Sequence, residues 1–112
     1  MMSQRGGESS EEVAGRVLKA RIAQKHRFAT EGIFTNSEMN NKQIEKYCVL
    51  SDNARETMAK VMERMELSMR AFYRIIRVAR TIADLEGADD IGAGHIIEAA
   101  GYRFLDRQNL GQ

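Results

Sequence analysis

Proline is absent from this chain of 112 residues, although average usage would supply about six in that length. No helix is therefore broken by a ring that removes an amide donor. Runs of β-branched residues, which would favour strands, are missing as well. A single cysteine, Cys48, excludes a disulfide within the chain and makes a reducing compartment the default. No apolar stretch approaches the roughly 18 residues of a membrane span, and the opening MMSQRGGESS lacks the hydrophobic core of a signal peptide. The expectation is a cytoplasmic protein with no membrane partner. An excess of one charge is lacking too: 17 basic and 16 acidic side chains leave a formal net charge of +1. Dedicated nucleic-acid binders usually carry a strong basic excess, so this balance weakens that class without excluding charge gathered on one face.

What is present suits one small helical domain. The chain is 43% hydrophobic, enough for one modest core and too short for a second domain. Residues 1–8 are polar, contain Gly6 and Gly7, and are expected to form a disordered tail or linker. Order is expected over 9–107, with 108–112 a frayed tail that follows packing by Tyr102, Phe104 and Leu105.

Ser9 and Glu12 have the spacing of a capping box. Val13, Val17 and Ala20, with Ala14, Leu18 and Ile22, repeat at helical spacing and carry a first helix towards Phe28. Residues 29–40 lose that period and read as a loop, pinned by Ile33 and Phe34. Asn40 or Asn41 then caps a short helix from Lys42 to Cys48, with Ile44 and Tyr47 inward. Ser51 caps another, whose Ala54, Met58, Val61, Met62 and Met65 form one apolar stripe. Ordinary core packing explains those methionines better than an adaptable partner groove. Ser68 caps the longest helix, Met69 to Leu85, and Gly87 suits the left-handed position after it. After a link over 88–94, a last helix runs through His95, Ile96, Ile97 and Ala99. The fold class predicted is all-α, a bundle of about five helices.

Two basic faces are the candidate sites. At about 100° per residue, Arg70, Arg74 and Arg77 fall within roughly 60° of one another, opposite Ile75, Ile76, Ala79, Ile82 and Ala83. Guanidinium groups in such a row can hold phosphate oxygens through their planar fork. Arg70 also lies in the first turn, where free amides and the helix dipole favour anions. Rows of this kind are usually solvated or paired, here for instance through the spacing of Arg80 and Asp84. The first helix carries Arg16, Lys19, Lys25, His26 and Arg27, of which Arg16, Lys19, Lys25 and Arg27 are the candidates for DNA contact. No metal site is expected: His26, His95 and Cys48 match no compact zinc spacing. His95 reads as a cap or packing residue and Cys48 as a small buried apolar one.

The segment GESSEEVAGRVLKARIAQKHRF, and the longer run ELSMRAFYRIIRVARTIADLEGADDIGAGHIIEAAGYRFLDR, resemble the C-terminal domain of ComM-type, magnesium-chelatase-like AAA+ ATPases. The resemblance spans nearly everything from Gly7 to Arg107. It implies a bacterial ring motor of identical subunits that processes DNA branches during natural transformation. It also implies an AAA+ lid: a helical domain that covers the ATP and Mg²⁺ held by a separate core domain. In such lids an arginine after a short turn, at the start of a long helix, reaches the γ-phosphate. The matching position in LSMRAF is Arg70, the sensor-2 arginine, with Arg74 and Arg77 as candidates for phosphate or subunit contacts. On this resemblance the basic face of the first helix is also a candidate for contact with the adjacent subunit. Hydrolysis needs a loop G-x-x-x-x-G-K-[ST] to cradle phosphates. Neither Gly6-Gly7 nor Gly92 and Gly94 is followed by that lysine and hydroxyl residue. The isolated chain is accordingly expected to be non-catalytic and to hold no cofactor itself. A stand-alone helical nucleic-acid-binding or adaptor module is the rival expectation.

Overall fold

The computed structural model describes residues 9–110, with side chains described up to Tyr102. The tail expected over 1–8, residues 111 and 112, and the packing expected of Phe104 and Leu105 lie outside the described residues.

Local capping chemistry starts the helices. In α1 (Ser10–Arg27) the Ser9 hydroxyl accepts from the Glu12 amide, and the Glu12 carboxylate accepts from the Ser9 amide at 2.8 Å. Asn40 and Gln43 repeat this reciprocal pair at the start of α2 (Asn41–Tyr47). Ser51 and Ser68 cap α3 (Asp52–Met65) and α4 (Met69–Glu86) by accepting from the amides of Ala54 and Ala71. Two left-handed residues end helices: Glu66 after α3 (φ 50°) and Gly87 after α4 (φ 76°). The last helix, α5, runs Ala93–Leu110, so the backbone is helical to Leu110.

Among the described residues the architecture is all-α, with five α-helices and one 3₁₀ turn at Asn36–Glu38. The amphipathic α4 lies at the centre and packs against α1, α2, α5 and the 3₁₀ turn, while α3 packs on α5. Its buried Ile75, Ile76, Ala79, Ile82 and Ala83 join Met39, Ile44, Met58, Ile91, Ile96 and Ala99 in one core. Each fully buried large aliphatic side chain contributes about 1.5–3 kcal/mol. A backbone stitch joins the two links. The Ile91 amide donates to the Val49 carbonyl and the Ser51 amide to the Ile91 carbonyl, both at 2.9 Å. It holds the start of α5 beside the start of α3.

Three readings of the sequence differ from this arrangement. Tyr102, expected to pack, is 50% exposed. Phe34, expected to pin the loop, is 80% exposed, whereas Asn36 and Met39 are fully buried and Ile33 packs against the core. Of the apolar repeat of α1 only Ala20 is buried, and Val13, Val17, Leu18 and Ile22 are all exposed. The helix meets the bundle through Ala20, Gln24, Arg27 and Phe28, opposite Leu18 and Ile22.

Candidate functional site

The arginines of α4 share one helix face but differ in environment. Arg70 stands exposed in the first turn, directly after the Ser68 cap, and among the described residues no hydrogen bond or ion pair engages it. With one amide of that turn taken by Ser68, the helix end still favours an anion through its dipole. Arg74, one turn on, is also exposed. Arg77 is half-buried and its Nη1 donates to the Met39 carbonyl at 3.4 Å, so it holds the loop that precedes α2. Between α2 and α4 a groove of about 340 Å³ is lined by Ile44, Glu45, Cys48, Met69, Phe72 and Tyr73, among others. The N-terminal end of α4 thus carries Arg70 and Arg74 exposed on one face and the groove on another.

Further along α4 the charge turns inward. Arg80 is only 2% exposed. Its Nε donates to Asp84 Oδ1, its Nη1 to the Asp89 carbonyl and its Nη2 to the Ala88 carbonyl, the last two at 2.8 and 2.7 Å. Asp84, itself 4% exposed, also receives both Nη groups of Arg27 at 2.8 Å. Asn36 completes the cluster: its amide donates to Asp84 Oδ2 and to the Thr81 hydroxyl, and its carbonyl accepts from Arg27 Nη1. Burial alone would raise the Asp84 pKa. The hydrogen bonds from Arg27 and Asn36 and the charges of Arg80 and Arg27 outweigh it and hold the carboxyl below its ordinary range.

This cluster corrects the reading of Arg27 as a surface DNA contact. Its guanidinium is folded onto Asp84 and its side chain is 13% exposed, because a buried carboxylate demands a partner charge. Lys19 and Lys25 remain exposed and Arg16 is half-buried. The α1 face is therefore less basic than its sequence. The spacing of Arg80 and Asp84 was the one legible signal of the cluster; nothing local marks Arg27 or Asn36 as members.

Other titratable groups serve packing. Burial pushes the Cys48 thiol up to about 11, and its Sγ lies 4.0 Å from Met39 Sδ. His95 Nδ1 accepts from the Gly92 amide at 2.9 Å while Nε2 meets Glu86, so this histidine fastens the start of α5 to the end of α4. Glu31 accepts from Tyr47 Oη, Gln43 and Lys46, which together draw its carboxyl down to about 2. Among the described residues no three His, Cys, Asp or Glu side chains gather as a metal would require, and no helix is long and apolar enough to cross a membrane.

Comparison with known proteins places the chain in context. The family described as magnesium chelatase, subunit ChlI C-terminal, matches residues 7–103. Competence protein ComM of Haemophilus influenzae is 41% identical over 101 residues, which cover 90% of this chain and 19% of that protein. The uncharacterized protein YifB of Salmonella typhimurium is 40% identical over the same shares, and the uncharacterized protein Mb2921c of Mycobacterium bovis is 32% identical over 97 residues. The chain thus spans about a fifth of the length of these relatives, 19% in each case. No solved structure matches it.

Proposed function

The chain belongs to the family of magnesium chelatase subunit ChlI C-terminal domains, and on that premise we propose that it is the helical lid of a ComM-type AAA+ ATPase. In this reading the lid covers ATP and Mg²⁺ held by the core domain of a longer polypeptide, and Arg70 reads the γ-phosphate. The observation that carries it is the position of Arg70: exposed, without a partner among the described residues, and in the capped first turn of the central helix. A guanidinium there meets a triphosphate with its own charge and with the positive end of the helix dipole. Loss of the γ-phosphate removes those contacts, so the lid's preferred position relative to the core changes between ATP and ADP. Because α4 is packed on α1, α2 and α5, a pull on Arg70 moves the bundle as one body.

Arg74 extends the cationic face towards a phosphate or an adjacent subunit of a homo-oligomeric ring. Arg77 is the weaker member, since its guanidinium is engaged with the Met39 carbonyl. The chain alone is not catalytic in this reading. Action of the parent motor on DNA, as in natural transformation, belongs to the same proposal. A stand-alone nucleic-acid-binding module has less support, because Arg27 is committed to Asp84.

The test is Arg70→Ala in the longer ATPase that carries this domain. Turnover should fall by about tenfold or more, as when a positioned transition-state cation is removed. Arg70→Lys should recover only part of it, because a point charge replaces a bidentate fork. The circular dichroism of the domain should be unaltered. Equal turnover in R70A and the parent would defeat the assignment.

A further inference from the structure

The side of α1 turned away from the bundle has the pattern of one half of a self-complementary seam. At about 100° per residue, Glu11, Ala14, Gly15, Leu18, Ile22 and Lys25 fall within about 100° of one another, opposite Ala20 and Arg27. Leu18 is 59% exposed and Ile22 48%. Glu11 and Lys25 are exposed too, and among the described residues no ion pair engages either. Glycine is less favourable than alanine inside a helix, yet a Cβ on Gly15 would meet nothing within 4 Å. Nothing in the described fold asks for glycine there.

The pattern is symmetric about Leu18. Glu11 and Lys25 lie equally far on either side of it, as do Ala14 and Ile22, and Gly15 and Arg21. We propose that this face docks a second copy of the chain, the two α1 helices lying antiparallel with Leu18 against Leu18 across a two-fold axis. Glu11 then meets the partner's Lys25 at both ends of the seam, and the small Ala14 and Gly15 receive the partner's larger Ile22 and Arg21. A parallel pair would set like charges against each other at both ends, which selects the antiparallel arrangement. The seam is the length of one helix pair, less than the roughly 1,200 Å² that stable complexes bury, so the dissociation constant should be on the order of 0.1 mM. The contact is independent of any role for Arg70, which lies on another helix.

Sedimentation equilibrium of the full chain, from micromolar to millimolar concentration, tests this directly. The wild type should pass from monomer to dimer, more weakly at high salt because the end pairs are exposed. Lys25→Glu should weaken dimerisation by about tenfold by turning both end pairs repulsive, and the double swap E11K/K25E should restore it. Leu18→Glu should remain monomeric throughout. Leu18→Cys should form an interchain disulfide under mild oxidation, Cys48 being buried. Circular dichroism checks that each variant is folded. A chain monomeric at every concentration overturns the proposal. So does a dimer indifferent to L18E and K25E, or a K25E defect that the swap leaves unrepaired, since each assigns the contact to another surface or partner.

Discussion

Replacing Asp84 with alanine should be among the most damaging single changes outside the apolar core. The carboxylate accepts four hydrogen bonds, from Arg27 twice, from Arg80 and from Asn36, and it joins α1, α4 and the segment preceding α2. Its removal leaves two guanidinium groups facing one another without a countercharge. Arg27, 13% exposed along its side chain, can rotate towards water; Arg80, at 2%, cannot without unpacking α4. Stranding a buried charge in this way costs about 3–5 kcal/mol. Domains of this size are stable by about 5–15 kcal/mol in all. With a urea slope of about 1–3 kcal/mol/M, the midpoint should fall by about 2 M, read by far-ultraviolet circular dichroism at neutral pH.

The same carboxylate gives a pH signature. Its folded pKa lies below the unfolded value, so its contribution is complete above about pH 4, the unfolded pKa, and is lost as pH falls through the folded pKa. The wild type should therefore lose stability on acidification below about pH 4 more steeply than Asp84→Asn, which has no charge to lose there. A loss under about 1 kcal/mol in D84A, or parallel acid profiles for wild type and D84N, would mean that the cluster is solvated and the reasoning wrong.

Three further outcomes are expected. Glu66→Gly should raise stability by about 0.5–1 kcal/mol in urea titration, because Glu66 holds a left-handed backbone that glycine adopts without strain. The Glu31 carboxyl should titrate near pH 2 by NMR, and Tyr47→Phe should move it upwards, since the Tyr47 hydroxyl is the largest cause of the depression; an unmoved titration would refute that cause. Cys48, with its thiol raised to about 11, should resist iodoacetamide at pH 8 in the native chain and react once urea unfolds it.

The features legible in the sequence share one property: their causes lie within about four residues along the chain. Ser9, Ser51 and Ser68 announce helix starts because their hydroxyls reach amides three residues on. Gly87 announces an end because glycine tolerates the left-handed turn. The inward face of α4 follows from periodicity, and so does the grouping of Arg70, Arg74 and Arg77 on the other side. The family was legible as well, through the words around LSMRAF and the first helix.

Long-range pairing was not legible. Arg27 and Asp84 lie 57 positions apart, and no local rule says that a lysine- and arginine-rich helix lends one of its cations to the core. Asn36 and Met39 sit in a segment that reads as polar loop, yet both are buried because α4 offers that segment Asp84, Thr81 and an arginine to bind. Periodicity marked Val17, Leu18 and Ile22 as apolar without saying whether anything covers them. The sequence by itself determined the helices, their caps and the family, because hydrogen bonds and side-chain spacing inside one helix depend on neighbours along the chain. Only the tertiary structure decided which arginines remain at the surface and which apolar residues are covered. Burial, and the charge pairing that burial demands, depend on what the rest of the fold brings alongside.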